Sequence, residues 1–128
     1  MTGSHDVEIR WADLDGFGHA SHRAYLDFLE EGRNAVLDAA VGPERRRTFV
    51  LRRLELDYLA QLTQRDDDRV RVTVRIVAVD GATVTTEEEA ASAVEGRLAA
   101  RARATLESAD GGALAALRGR VEATAQQG

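Results

Sequence analysis

The sequence predicts an α+β fold in which one dominant helix lies against an antiparallel sheet. Three observations carry this expectation. Apolar residues recur at every second position in five separate segments. They recur at every third and fourth position in one long segment, residues 22–40. The order is one strand, the long helix, four strands and a tail, the arrangement expected when a sheet covers its apolar face with a single helix.

Each element has its own signal. From His5 to Trp11, residues Val7, Ile9 and Trp11 fall on one face and Asp6, Glu8 and Arg10 on the other, as in a half-buried strand. Asp13–Ser21 (DLDGFGHAS) is turn chemistry, rich in Gly and Asp. The helix follows from His22 to Ala40, with Ser21 as N-cap and Gly42-Pro43 as its stop. Its apolar stripe, including Tyr25, Leu26, Phe28, Leu29 and Val36, is wide enough to face something large. A strand is expected from about Thr48 to Leu59, with Val50, Leu54, Leu56 and Tyr58 on one face. Val70, Val72, Val74, Ile76 and Ala78 give the cleanest alternation, and Asp80-Gly81 is a hairpin turn leading into Thr83–Ala90. Arg97–Leu106 (RLAARARATL) has the composition of a helix, yet Ala100, Ala102, Ala104 and Leu106 alternate with Arg101, Arg103 and Thr105. Pattern outweighs propensity, so a strand is expected. Gly111-Gly112 then precedes a weakly amphipathic helix, Ala113–Ala123.

Composition narrows the function. The chain has 128 residues and no linker or repeat, and is expected to form a single domain, residues 1–128, with its core at about 5–108. There is no Cys, which excludes disulfides, thiolate metal sites and a cysteine nucleophile. Three His leave little room for a structural zinc site. The net charge of −5 argues against nonspecific nucleic-acid binding. No apolar run suggests a signal peptide, an anchor or a membrane span, so a cytoplasmic protein is expected. All 17 basic residues are Arg. The runs Arg45-Arg46-Arg47 and Arg52-Arg53 therefore read as solvated surface rather than as selected phosphate ligands. Asp66-Asp67-Asp68 reads as a loop charge run that lacks the flanking ligands of a calcium loop. Glu30, Glu31 and Arg33 read as a solvated helix face, with Glu31 or Arg33 alternatively crossing a dimer interface.

The chemistry concentrates between the first strand and the helix, in WADLDGFGHASHRAYLDFLEE (residues 11–31). Asp13 and Asp15 precede a helix start at which first-turn amides lack intrahelical acceptors and the macrodipole adds positive charge. The backbone N–H of His22 could polarise a carbonyl and stabilise an oxyanion. Asp15, folded back through Gly16 and Gly18, could act near the same carbon as general base or as nucleophile. Asp13 is expected to hold the loop, and His19 to brace it or line a pocket. Tyr25 is expected in the core, bordering that pocket.

This segment resembles the hotdog-fold acyl-CoA thioesterases of the 4-hydroxybenzoyl-CoA thioesterase type, with Asp13, Asp15, Gly18, His19, His22, Tyr25 and Glu30 in register with the family pattern. LELDYLAQL (Leu54–Leu62) is similar to the family's E-x-D-Y-x-x-P-L strand end, and the resemblance runs from about residue 7 to 107. It implies a hotdog fold, a curved antiparallel sheet wrapped around the helix, assembled as a dimer or dimer of dimers with sites at the interface. It further implies hydrolysis of a fatty or aromatic acyl-CoA, with Asp15 and the His22 amide as catalytic groups, Gly18, His19 and Tyr25 around the substrate, and no metal or redox cofactor. Gln61 departs from the pattern where Pro is common. Val79–Thr83 (VDGAT) lacks the basic residues some members use for CoA phosphates, which keeps an acyl carrier protein thioester as an alternative partner. Two further readings are a hotdog acyl-thioester hydratase or dehydratase, and a non-catalytic acyl-thioester binding protein.

Overall fold

In the computed structural model, which describes residues 1–65 and 67–127 with side chains through 121, the long helix and five strands form as the periodicities require. The strands are β1 (Thr2–Glu8), β2 (Val50–Tyr58), β3 (Arg69–Asp80), β4 (Thr83–Ser92) and β5 (Leu98–Glu107). They build one antiparallel sheet in the order β1-β3-β4-β5-β2. Helix α1 (His22–Val41) crosses one face of it, a short turn α2 (Pro43–Arg46) follows, and α3 (Gly111–Gln127) closes the chain. No helix among the described residues is long and apolar enough to cross a membrane. Asp66, part of the acidic run, lies outside the described residues.

The bounds of α1 follow from its caps. Ser21 Oγ accepts the Ala24 N–H at 3.3 Å, and Gly42 ends the helix with φ +87°, a conformation costly for a side chain with a Cβ. Tyr25, Phe28, Leu29 and Val36 face Val70, Val72 and Val74 of β3 and Ala100 and Ala102 of β5, all buried. Helix α1 lies closest to β1, β3 and β4. Gly32 marks the tightest approach, since a Cβ there would stand 2.3 Å from Val72 Cγ1. Gly32→Ala is therefore expected to destabilise the fold by about 1–3 kcal/mol through overpacking, read by urea unfolding; an unchanged midpoint would show that the helix can shift away freely.

Some local expectations need correction. The first strand ends at Glu8 rather than Trp11. Arg10 and Asp13 bond to each other across a 3-10 turn, Trp11–Asp13, which stops the strand and leaves Trp11 82% exposed. Ala78 does not share the face of Val70–Ile76, because a register shift between Ile76 and Ala78 flips the alternation and turns Val79 inward. A similar shift between Leu51 and Arg53 brings Leu51, not Val50, to the helix side beside Leu37 and Leu106. Helix α3 starts two residues earlier than expected, because Asp110 Oδ1 accepts the N–H groups of Gly112 (2.9 Å) and Ala113 (3.1 Å). Its Leu114 and Leu117 bury against Leu37, Ile76, Val84 and Leu106, sealing one end of the sheet.

Arg33 is not part of a solvated helix face. It is buried, and its guanidinium grips the fully buried Glu88 of β4 through Nε–Oε2 at 2.7 Å and Nη2–Oε1 at 2.8 Å. Thr86 Oγ1 donates to the same carboxylate at 2.7 Å. The opposite face of the sheet carries exposed charge in cross-strand pairs, as between Arg75 and Glu87 at 2.5 Å.

Candidate active site

The loop before α1 is built as a small closed hairpin. Leu14 bridges Ala20, the Asp15 N–H donates to His19 O at 2.7 Å, and Ser21 N–H donates to Asp13 O at 2.8 Å. Gly18 takes φ +79°, the left-handed turn that lets the chain reverse. Asp13 is buried and bonded to the backbone and side chain of Arg10, which fixes the base of the loop.

Asp15 stays exposed at the loop's mouth. Its Oδ1 accepts the N–H groups of Phe17 (2.8 Å) and His19 (3.1 Å), an Asx turn that sets the direction of the carboxylate. Among the described residues, Oδ2 has no protein donor. The Phe17 N–H is the largest influence holding this carboxyl below its ordinary range, opposed by desolvation and helped by the His19 N–H. It is therefore a carboxylate at neutral pH, with one oxygen tethered and one open.

The helix start lies beside it. His22 is the first residue of α1, and among the described residues its N–H has no protein acceptor. The His22 ring stacks on Tyr58 at 4.7 Å, and the Tyr58 hydroxyl donates to His22 O at 3.1 Å. Tyr25 meets Tyr58 edge-on at 5.3 Å and donates to Ala60 O at 3.2 Å, its phenol pushed up chiefly by burial.

A cleft of about 260 Å³ runs between these groups, with Asp15, His19, Ala20, His22 and Tyr25 on one side and Tyr58–Gln61 on the other. The structure thus gathers Asp15, His19, His22 and Tyr25 around one space, while Gly18 shapes the turn without lining it. The wall contributed by the end of β2 was visible in the sequence only as the second motif; the role of Tyr58 as a platform for His22 was not. A larger concavity, about 500 Å³, lies on the outer sheet face among Glu55, Arg75, Glu87, Arg101 and Arg103. There Glu87 pairs with Arg75 and Arg103, and the concavity offers no open helix terminus. Among the described residues no three His, Asp or Glu side chains converge as a metal site would require.

Comparison with known proteins agrees with this architecture. A family model for the thioesterase-like superfamily matches residues 9–121. No curated protein matches the chain. Among solved structures, a thioesterase from Thermus thermophilus complexed with coenzyme A and Zn is 26% identical, with a TM-score of 0.78 over 94% of this chain and 93% of that one. A hypothetical protein from Staphylococcus aureus in complex with CoA superposes with a TM-score of 0.81 at 14% identity, covering 94% of this chain and 84% of that one. A 1,4-dihydroxy-2-naphthoyl-CoA thioesterase from Synechocystis gives 0.73 at 18% identity, over 84% and 81% of the two chains. With a family model spanning nearly the whole folded chain and a helix-on-sheet architecture that these structures share, the chain belongs to the thioesterase-like superfamily and is a hotdog-fold thioesterase.

Proposed function

We propose that this protein hydrolyses a fatty or aromatic acyl-CoA of the kind handled by 4-hydroxybenzoyl-CoA thioesterases, with Asp15 and the His22 amide as its catalytic groups. The observation that carries the proposal is a carboxylate with one open oxygen on the same cleft as an unshared helix-terminal N–H. The thioester carbonyl oxygen rests on the His22 N–H, where the helix dipole stabilises the negative charge that develops on attack. Asp15 Oδ2 either takes a proton from an attacking water or attacks the carbonyl carbon itself to give an anhydride that water then opens. In both cases the C–S bond breaks, the pantetheine thiolate leaves and is protonated, and the free acid remains. His19, Tyr25 and Tyr58 form the walls against which the acyl group lies.

The active unit is proposed to be a dimer or dimer of dimers. Strand β2 ends the sheet, and Val50, Leu51, Tyr58 and Leu59 along it are exposed apolar residues. A second copy laid along that edge would cover them and satisfy the strand's outer hydrogen-bonding groups. Tyr58 and Leu59 also line the cleft, so the partner would border the site.

A panel of acyl-CoA thioesters of graded chain length and aromaticity, read by thiol release, tests the reaction; the Cys-free chain contributes no background. Turnover of at least one member is the expected result. Hydration of crotonyl-CoA without thiol release would assign the cleft to a hydratase instead.

A further inference from the structure

Behind the cleft lies a second acid that the hydrolytic steps leave unused. Asp67, in the connection from β2 to β3, is fully buried, a position an acid holds only when partnered. Its Oδ2 accepts Arg97 Nη2 at 2.8 Å and the Thr63 N–H at 3.2 Å, while its own N–H donates to Thr63 O at 2.8 Å. The same Arg97 nitrogen donates to Gln61 O at 3.1 Å. One ion pair therefore grips residues 61–63 from two directions. Burial pushes the Asp67 carboxyl up, and Ser92, the Thr63 N–H and Arg97 together overcome this and hold it low. The Ser92 hydroxyl stands near, yet Oδ1 makes no hydrogen bond of good geometry among the described residues.

The gripped segment is continuous with the far wall of the cleft. Ala60 O accepts the Tyr25 hydroxyl, Leu62 O accepts the Ala20 N–H at 2.7 Å, and Thr63 bridges His19. His19 and Ala20 lead directly into the Ser21 cap and the His22 amide. These links include hydrogen bonds of 2.7–3.2 Å joining adjacent backbone segments, so a shift at Asp67 has a connected route to the loop that bears Asp15.

We propose that Asp67 and Arg97 are positioning residues of the active site: the pair fixes segment 60–63, and through it the placement of the Asp15–His22 loop across the cleft. The inference rests on the hydrolytic reading of that cleft. Reacting groups displaced by about 1 Å lose on the order of 100-fold in rate. A staple that served only the fold would alter stability and leave turnover of the folded fraction untouched.

The test compares Asp67→Asn, Arg97→Gln and Arg97→Lys with the surface control Asp80→Asn, by steady-state kinetics and by hydrogen exchange. Asp67→Asn and Arg97→Gln are expected to lower kcat by about 10- to 100-fold while KM moves less than about threefold. Arg97→Lys, which keeps a cation beside Asp67, should restore most of that loss. Hydrogen exchange should quicken in residues 13–22 and 59–64 of the two impaired variants, with the centre of α1 unchanged. Wild-type kcat in folded variants, or exchange that quickens evenly along the chain, overturns the proposal. Should the wild-type protein hydrolyse none of the thioesters, the hydrolytic reading fails by itself. The exchange pattern then decides whether the pair positions the loop, with acceleration confined to the two segments supporting it and uniform or absent acceleration refuting it.

Discussion

Asp15→Asn is expected to reduce acyl-CoA hydrolysis by about 10³-fold or more while leaving fold and assembly intact, since a positioned base alone contributes about 10²–10⁴. The substitution is selective because of how the loop is bonded. Oδ1 of Asp15 serves the loop by accepting the Phe17 and His19 N–H groups, and an Asn carbonyl oxygen can accept the same two bonds. What disappears is the charge and the acceptor at Oδ2, the atom assigned to the chemistry. Circular dichroism and unfolding midpoints should match the wild type, and thiol release should not. Near-wild-type kcat in a folded Asn variant would sink the catalytic assignment.

The pH profile follows from the same bonds. The Phe17 N–H stabilises the ionised form, so the folded carboxyl lies below its ordinary value. The Asp15 carboxylate then persists as pH falls through about 3.9, where an unperturbed aspartate would already be half protonated. Loss of kcat/KM from Asp15 protonation is accordingly expected only below that range, measured over the interval in which the protein stays folded. A wild-type acid limb centred above about pH 5 that moves in Asp15→Glu would mean that the tethering bonds do not persist in solution.

How far the sequence reaches depends on the range of the interaction. The caps of α1 and the strand identity of RLAARARATL are local or periodic, and both were legible without a structure. So was the loop half of the site, because Asp15, His19, His22 and Tyr25 sit within one turn-and-helix segment. The bulges in β2 and β3 were not, since one extra residue inverts the faces of a strand without changing its composition. Trp11 continued the alternation of β1 on paper, but the Arg10–Asp13 contact turns the backbone before it. Asp67 read as one of three equivalent acids, and only its contact with Arg97, thirty positions away, sets it apart from its neighbours. Glu88 was equally hidden. It sits in a run of three glutamates, and which of them points inward depends on the register of β4 against β5, not on the residue itself.

That buried glutamate carries the largest stability effect expected here. Arg33→Met should destabilise the fold by about 3–5 kcal/mol, because it leaves the buried Glu88 charge without its cation and without both guanidinium bonds. For a domain whose whole stability is about 5–15 kcal/mol, that is a large fraction, and a fall in melting temperature of about 10 °C or more should accompany it. The pair itself need not be strongly stabilising, since both ions lost their hydration on folding. Replacing both residues, as Arg33→Met with Glu88→Leu, should therefore recover most of the loss, with a residue of about 1 kcal/mol from the Thr86 hydroxyl left without its acceptor. Equilibrium unfolding of the two single variants and the double variant gives the coupling energy directly. A single Arg33→Met that unfolds at the wild-type midpoint would show that Glu88 finds another partner or a proton at little cost. If the double variant is as unstable as the single ones, the ion pair is holding α1 at a specific height over β4 that apolar side chains cannot reproduce. Helix α1 presents the His22 amide to the cleft, so a double variant that is stable but slow would show that the pair fixes the helix for catalysis as well as for folding.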